Sequence, residues 1–268
     1  MSEPDESAAT LYLVATPIGH LGDVSERCRE VLGRVGAIAA EDTRRTLKLL
    51  SALGLPRPRI YFSCHDHNEA AAAHRVVGLL RDGIEVALCT DAGSPLVSDP
   101  GYEVVRAVLA EDMPLTAVPG PSAALAALAV AGLPPSSFTV LGFPPRRPGK
   151  VRRELARERR SPHTLILFES PHRLARLLAL ALDALGDRPA AVCVDLTKRF
   201  ERVHRGTLSE LAELATTLDR RGEVTVVIAG APRRRDLDED EPEDAEEEDA
   251  EFAEEAADDP EEPADVQA

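Results

Sequence analysis

Three short stretches of the chain concentrate the residues that a backbone-built binding site needs. Thr90 to Gly101 reads TDAGSPLVSDPG, with two Asp, two Gly and two Pro in twelve residues directly after an apolar run. Gly93 and Gly101 can take backbone angles closed to other residues, Pro95 and Pro100 stiffen the chain, and Asp91 and Asp99 can cap helices or accept hydrogen bonds from a ligand. Thr16 to Asp23, TPIGHLGD, sets Pro17, Gly19 and Gly22 after the run LYLVA, and PGPSA at Pro119 to Ala123 sets Ser122 near a helix start. Open α/β sheets bind ligands at the carboxyl ends of their strands, so three such loops are expected to converge on one cleft. Its expected contacts are Pro17, Gly19, Asp91, Ala92, Gly93, Ser94, Pro95, Leu96, Pro119, Gly120, Ser122 and Ala123. Neither GxGxxG nor GxxxxGKS occurs at these turns, which argues against an ordinary dinucleotide or ATP site.

Titratable residues form further candidates. Cys64, His65, Asp66 and His67 look like a metal cluster, but residues two apart on a strand point alike and no second half-site is evident. No metal is expected, and His65 and His67 are read as polar groups near a substrate mouth. Glu41, Asp42 and Arg44 end a strand, where an acid and an arginine can form a structural ion pair or touch substrate. Glu169 also ends a strand and precedes Pro171, so it either faces the cleft or caps the helix that begins near His172. Between Arg146 and Arg160 stand eight bases, Arg146, Arg147, Lys150, Arg152, Arg153, Arg157, Arg159 and Arg160, against Glu154 and Glu158. A solvated helix face is the plain explanation, yet the preceding FPPRRPGK is a Pro-rich loop whose guanidiniums suit phosphates, and RNA is the favoured reading.

Short apolar runs alternating with amphipathic stretches must position these groups, a pattern of repeated βα units and a largely parallel sheet. Strands are predicted at Leu11 to Ala15, Ala37 to Ala40, Arg59 to Phe62, Glu85 to Cys89 and Leu115 to Val118, with helices near 25–34, 43–53, 69–82, 102–111 and 122–131. Pro134 and Pro135 stop the last helix, which places a domain boundary there. A second set of strands at Phe138 to Leu141, Thr164 to Phe168, Ala191 to Asp195 and Val224 to Ile228 alternates with helices near 148–160, 172–185 and 208–221. The expected organisation is a flexible N-terminus at 1–10, α/β domains at 11–133 and 134–231, and a disordered acidic tail at 232–268.

The charge is distributed accordingly. The 268 residues carry a net charge of -16, but 19 of the 47 acids lie from Asp236 onward with no Lys or Arg among them, leaving 28 acids against 31 bases before that point. The body is net +3, so total charge does not argue against an RNA partner. The opening segment lacks the basic-then-apolar pattern of a secretory signal, and the most apolar window, Ala123 to Ala131, falls short of the ~20 residues of a membrane span. Four scattered cysteines without a CxxC pair read as buried and reduced. A cytoplasmic protein with no membrane partner is expected.

The motifs TPIGHL, AEDTR (Ala40 to Arg44), HDHNE (His65 to Glu69), TDAGSPLVSDPG, PGPSA, FESPHR (Phe168 to Arg173) and LTK (Leu196 to Lys198) occur in an order and spacing that resemble the small-subunit ribosomal RNA methyltransferases of the tetrapyrrole methylase superfamily, over about residues 11 to 230. The resemblance implies two α/β domains with S-adenosylmethionine bound in a cleft between them, Phe168 and Leu196 among the cofactor contacts, 2′-O-methylation of a cytidine ribose in the decoding centre of small-subunit ribosomal RNA, and a homodimer. RNA contacts would come from Arg44, Arg146, Arg147, Lys150, Arg152, Arg153 and Lys198, and a proton acceptor from Asp42, Glu169, His65 or His67. His20 stands where the family usually carries Asn, Asp195 where it carries Glu, and an acidic stretch follows Arg235 where many relatives continue into a helical module. Holding hydroxyl, methyl and sulfur in line supplies of order 7 to 11 kcal/mol, against about 10² to 10⁴ in rate from a general base, so positioning should dominate. The rival readings are a tetrapyrrole C-methyltransferase, which would not need the basic segment, and a non-catalytic RNA-assembly protein, which would not need the cofactor loops.

Overall fold

The computed structural model describes residues 9–232; the expected N-terminal extension up to residue 8 and all but the first residue of the expected acidic tail lie outside the described residues. The described chain to Ala231 forms one compact unit that contains two five-stranded sheets.

The first sheet is wholly parallel, in the order β3-β2-β4-β1-β5, built from β1 (Leu11–Val14), β2 (Ala37–Ala40), β3 (Ile60–Ser63), β4 (Val86–Cys89) and β5 (Leu115–Val118). The central strands β1, β2 and β4 are continuous apolar runs because both faces are covered, while the edge strands β3 and β5 are only partly buried. Leu11, Ala37, Ala39, Val86 and Leu88 pack under α3 (Glu69–Arg81) and α4 (Tyr102–Ala110), while the alternate Tyr12, Val14, Ile38, Ala40, Ala87 and Cys89 pack under α1 (Glu26–Arg34) and α2 (Thr43–Ala52). This order makes β4, β1 and β5 adjacent, so the loops that follow them, remote in sequence, emerge side by side.

The second sheet departs from expectation. Its order is β6-β7-β10-β8-β9, from β6 (Phe138–Gly142), β7 (Thr164–Glu169), β8 (Pro189–Val194), β9 (Arg202–Thr207) and β10 (Val224–Ile228). Only β6 and β7 run parallel; β10 runs against both β7 and β8, and β9 runs against β8. The expectation of a largely parallel sheet is therefore corrected for this half. Apolar periodicity reports burial and not direction, whereas the seven-residue link from β8 to β9 is too short for a parallel crossover. Strand β9 lies outside the strands expected from apolar runs, because RVHRGT is an edge strand with much of its surface in solvent and no apolar run.

Helices differ at their ends. The helix expected over 208–221 stops at Leu214, as α8 (Leu208–Leu214), where the Thr216 and Thr217 hydroxyls donate to the Glu213 and Leu214 carbonyls at 2.7 and 2.9 Å and compete with continuation. The next-to-last pair are α6 (Pro148–Arg157), opened by proline at its first turn, and α7 (Leu174–Leu185). Together with α8 they cover one face of the second sheet, with Leu155, Leu178 and Leu208 fully buried against Leu165, Leu167, Val192 and Val226.

The other face is covered by α5 (Ala123–Ala131), although this helix precedes the expected boundary at residue 133. Ala124, Ala127, Leu128 and Ala131 lie on Ile166, Ala191, Cys193 and Val227, joined by Ile18 from the β1 loop. Gly132 ends α5 in the left-handed conformation, and the Arg205 guanidinium of β9 donates to the carbonyl of Val130. The small side chains allow close approach, which makes the contact sensitive to volume. Ala127→Leu is expected to lose about 1 to 3 kcal/mol by overpacking, read as a fall of roughly 2 to 12 °C in melting temperature. An unchanged melting curve would mean that α5 does not bear on the sheet.

Candidate functional site

A cleft of about 340 Å³ opens where the first sheet's loops meet the second sheet, within the range of small-molecule sites. Of the expected contacts, Asp91, Ala92, Gly93, Ser94, Ser122, Ala123, Phe168 and Glu169 line it; Ile18, Glu41, Arg45, Val97, Ser98, Asp99, Phe143 and Glu223 to Thr225 complete it. Leu196 lies in a small adjoining depression with Ile18, Ala123 and Glu223. Pro17, Gly19, Pro95, Leu96, Pro119 and Gly120 do not line the cleft; they belong to the loops that shape it. A larger concavity of about 590 Å³, on the turn between β8 and β9, contains none of the three loops.

Backbone contacts stitch these loops together. Thr16 and Gly93 exchange both N–H···O bonds, at 2.8 and 3.0 Å, and the Thr16 hydroxyl donates to the Thr90 carbonyl at 3.2 Å. Gly93 holds φ +86°, a conformation that favours glycine, as the sequence reading anticipated. At Gly19 the requirement is space: a Cβ there would stand 2.5 Å from Lys198 Cγ and 2.7 Å from Thr197 Oγ1, so the β1 loop lies directly on the turn after β8.

The cleft is acidic. Glu41, Asp91, Asp99, Glu169 and Glu223 line it with one cation, Arg45, whose Nη1 donates to Asp91 Oδ2 at 2.9 Å. Glu41 Oε2 accepts from the Asp91 N–H at 2.9 Å and lies 2.8 Å from Thr90 Oγ1, which is also 2.6 Å from Asp99 Oδ2. One hydroxyl proton cannot serve two carboxylates at once. Both contacts are hydrogen bonds when Asp99 is protonated and donates to Thr90, which then donates to Glu41. Consistently, burial pushes the Asp99 carboxyl up to about 6, with the charges of Glu41, Asp91 and Asp66 adding and the Thr90 bond opposing.

The four acid–base candidates part company. Only Glu169 reaches the cleft; it is 5% exposed, and its Oε1 accepts from the Ser170 N–H at 2.7 Å and Arg173 Nε at 2.6 Å. Asp42 does not line it. Its carboxylate caps α2 and grips Arg44 at 2.8 and 3.1 Å, and those bonds hold it down at about 2, so Arg44 and Asp42 occupy one another. His65 and His67 are exposed beyond edge strand β3, ring centroids 6.1 Å apart, outside the cleft. Much of HDHNE is structural: Asn68 Oδ1 accepts from the His65 N–H at 2.8 Å, and Glu69 Oε1 accepts from Gly101 and Glu103 N–H, each at 2.8 Å, capping α4.

The basic candidates also separate. Lys198 Nζ lies 3.3 Å from Asp195 and 3.0 Å from Glu223, so it bridges carboxylates. Arg152 pairs with Asp183 at 2.8 Å. Among the described residues, Arg146, Arg147, Lys150, Arg153, Arg157, Arg159 and Arg160 carry no ion pair. Arg146, Arg173 and Arg176 line a shallow depression whose further wall is Glu169, the residue that also walls the cleft. The buried thiols are not nucleophiles; burial raises Cys28, Cys64 and Cys193 to about 11 and Cys89 further still. No group of three or more His, Cys, Asp or Glu among the described residues is arranged to hold a metal ion.

Glu41, Arg45 and Asp99 sit in motifs the sequence made visible, AEDTR and TDAGSPLVSDPG. Glu223 immediately precedes a plain apolar strand that Val224 and Thr225 begin, and Phe143 lies in a Pro-rich loop; none carries a local signal of its place in the cleft.

Residues 10–212 match the family model of the tetrapyrrole (corrin/porphyrin) methylases. A ribosomal RNA small subunit methyltransferase I from Micromonospora olivasterospora is 47% identical over 232 residues, 86% of this chain and 74% of that protein. One of the same name from Xylella fastidiosa is 44% identical, covering 83% of this chain and 82% of that one. Among solved structures, a cobalt precorrin-4 methyltransferase of cobalamin biosynthesis superposes with TM-score 0.62 at 17% identity, covering 85% of this chain and 98% of its own. A uroporphyrin-III C-methyltransferase from Thermus thermophilus, complexed with S-adenosyl homocysteine, superposes with TM-score 0.57 at 19% identity, covering 82% and 96%. These structural likenesses concern the fold.

Asp99 generates a pH prediction. Its folded value lies above the unfolded 3.8, so the native state holds the proton more tightly, and stability falls as pH rises from about 4 through about 6, then levels. Asp99→Asn keeps a donor to Thr90 and removes that slope. The variant's melting temperature should match wild type near pH 4 and exceed it by a few degrees at pH 8, in thermal denaturation across that range. Parallel curves would contradict the raised value.

Proposed function

The chain belongs to the tetrapyrrole methylase family, on the branch of the ribosomal RNA small subunit methyltransferases I, and from that premise we propose that it transfers a methyl group from S-adenosylmethionine to the 2′-hydroxyl of a cytidine ribose in small-subunit ribosomal RNA. One observation carries this reading: Glu169 stands between an acidic cleft and an arginine-lined depression. Five carboxylates against a single, already paired arginine make the cleft a site for a cation, and the unpaired bases beside it suit a phosphate backbone.

The cofactor fits those residues. It supplies an electrophilic methyl on a positively charged sulfur. The stitched loops present Ala92, Gly93 and Ser94 to one side of it, Ile18, Phe143, Phe168 and Val224 offer apolar walls, and the carboxylates complement its charge. Glu169 is the acid–base candidate in reach of the cleft. With Oε1 engaged by Arg173 and Ser170, Oε2 is left to accept the ribose hydroxyl proton, while Arg173 holds the carboxylate in orientation. Asp99 and Glu41, tied to Thr90, hold the wall of the cleft formed by the loops after β2 and β4.

The basic segment supports RNA over a tetrapyrrole. A porphyrinoid carries carboxylates but not a chain of phosphates, and seven unpaired cations along α6 and its flanks exceed what one small anion needs. A methylation assay on assembled small ribosomal subunits, with naked RNA and a porphyrinoid as the other arms, decides between them.

Two variants test the two halves of the site. In Gly93→Val a β-branched residue is forced to positive φ within the Thr16 bridge, and affinity for S-adenosylmethionine by calorimetry is expected to fall about ten- to hundredfold while the protein remains folded. Unchanged affinity would remove the cofactor from these loops. Reversing Arg146, Arg147 and Lys150 to Glu should weaken RNA binding and reduce its salt slope by about one per lost phosphate contact, leaving cofactor affinity unaltered. An unaltered slope would reduce the segment to a solvated surface.

A further inference from the structure

The 590 Å³ groove on the turn between β8 and β9 has no part in the cleft chemistry, yet it is built rather than slack. The turn spans residues 195–201. Asp195 at φ +52° and Thr197 at φ +63° are both non-glycine residues in the left-handed region, a conformation kept only where surroundings enforce it. The enforcement is visible. Asp195 Oδ1 accepts from the Glu223 N–H at 3.1 Å, Glu201 Oε2 from the Thr197 N–H at 2.5 Å, and Thr197 Oγ1 from the His20 N–H at 3.1 Å.

What this rigid turn displays is Phe200, at 67% exposure the most exposed large hydrophobic side chain among the described residues. The Arg199 guanidinium lies 5.4 Å from its ring centroid, and Arg202 and Arg221 line the same groove. The carboxylates there are already engaged: Asp219 by Arg221 at 2.7 Å, Asp195 by Lys198 at 3.3 Å, and Glu201 by the backbone. Arg199 and Arg202 carry no ion pair among the described residues. An uncovered aromatic face flanked by unpaired arginines is the chemistry of a nucleobase platform, since every base has a π-face and its phosphate requires a cation.

The groove also adjoins the cleft. Asp195 lines the groove, Glu223 lines the cleft, and Lys198 with the Glu223 N–H ties the two together into a shared wall. We propose that this groove is a second RNA subsite, in which one unpaired nucleobase stacks on Phe200 and Arg199 and Arg202 hold its flanking phosphates while the target ribose occupies the cleft. The inference rests on the reading that the substrate is RNA. It makes Phe200 a positioning residue, acting on where the strand lies and not on the transferred methyl.

The test uses the full chain and a single-stranded RNA nonamer carrying one 2-aminopurine, moved through the positions in turn, with small ribosomal subunits for the methylation arm. At one position the wild-type protein should quench the probe. Phe200→Ala should abolish that quench and weaken binding about ten- to hundredfold with the salt slope unchanged, and Phe200→Trp should restore both. Arg199→Ala with Arg202→Ala should instead reduce the salt slope by about two. On subunits, Phe200→Ala should raise KM more than it lowers kcat. Wild-type affinity and quench in Phe200→Ala would overturn the subsite. So would a shift in that variant's sedimentation from a dimer to a monomer, which would place the ring between copies of the chain. A wild-type protein that methylates no small-subunit RNA overturns the parent reading instead, and the binding arms do not depend on it.

Discussion

Everything at the site depends on α5 and Ile18 lying against the second face of the mixed sheet. That contact is made of alanines, Leu128 and one isoleucine on Ile166, Ala191, Cys193 and Val227. It carries no directional bond strong enough to define an angle by itself; close packing does so because small side chains leave no void to slide into. Ser122 and Ala123 open the same helix, Ile18 belongs to the β1 loop, and all three line the cleft. The surface that joins the two sheets is thereby the floor from which the cleft rises, and a shift there would move the cleft's walls relative to one another.

Charge is organised on the same plan. The body is close to neutral, yet it is neutral by segregation. Carboxylates gather at the carboxyl ends of β2, β4, β7 and the start of β10, while unpaired bases line α6 and the turn after β8. Placing like charges together costs free energy, which the protein limits locally: Arg45 answers Asp91, the Thr90 hydroxyl lies between Asp99 and Glu41, and Arg173 answers Glu169. The residual field favours a cation within the cleft and polyanion outside it, which orders the approach of two substrates of opposite charge.

Rigidity of the loops follows from backbone bonding rather than from side-chain bulk. The reciprocal Thr16–Gly93 bridge is an isolated antiparallel pair that ties the loops after β1 and β4 together just beyond the parallel ladder. Residues in the left-handed region, Leu96 and Ser98 in one loop and Asp195 and Thr197 in another, sit at the edges of this frame. A fifth, Asp112, lies in the turn between α4 and β5, so the non-glycine strain sits in loops and none of it in the helices and strands.

Much of this was legible in the chain itself. Apolar runs bounded by turn residues located nine of the ten strands, because apolar side chains between turn residues leave a signature that needs no partner to be read, strongest in the central strands buried on both faces. The glycines and prolines of TDAGSPLVSDPG marked a loop whose backbone had to do something unusual, and Gly93 does. The strand β9 was missed since an exposed edge carries no apolar signature, and the direction of β10 was misjudged since alternation records depth and not orientation. Asp42, His65 and His67 stood in motifs beside the cleft residues, and only the sheet order revealed that edge strand β3 takes the histidines away while Arg44 occupies Asp42. Glu223 and Phe143 gave no local sign. Their places in the cleft arise from neighbours tens of residues distant, brought near by packing. A sequence determines which segments must be buried and where the backbone must bend, because those are properties of single residues and their spacing. Which side chains then face one another is decided by sheet order and helix contact, because those are settled by the closest packing of the whole.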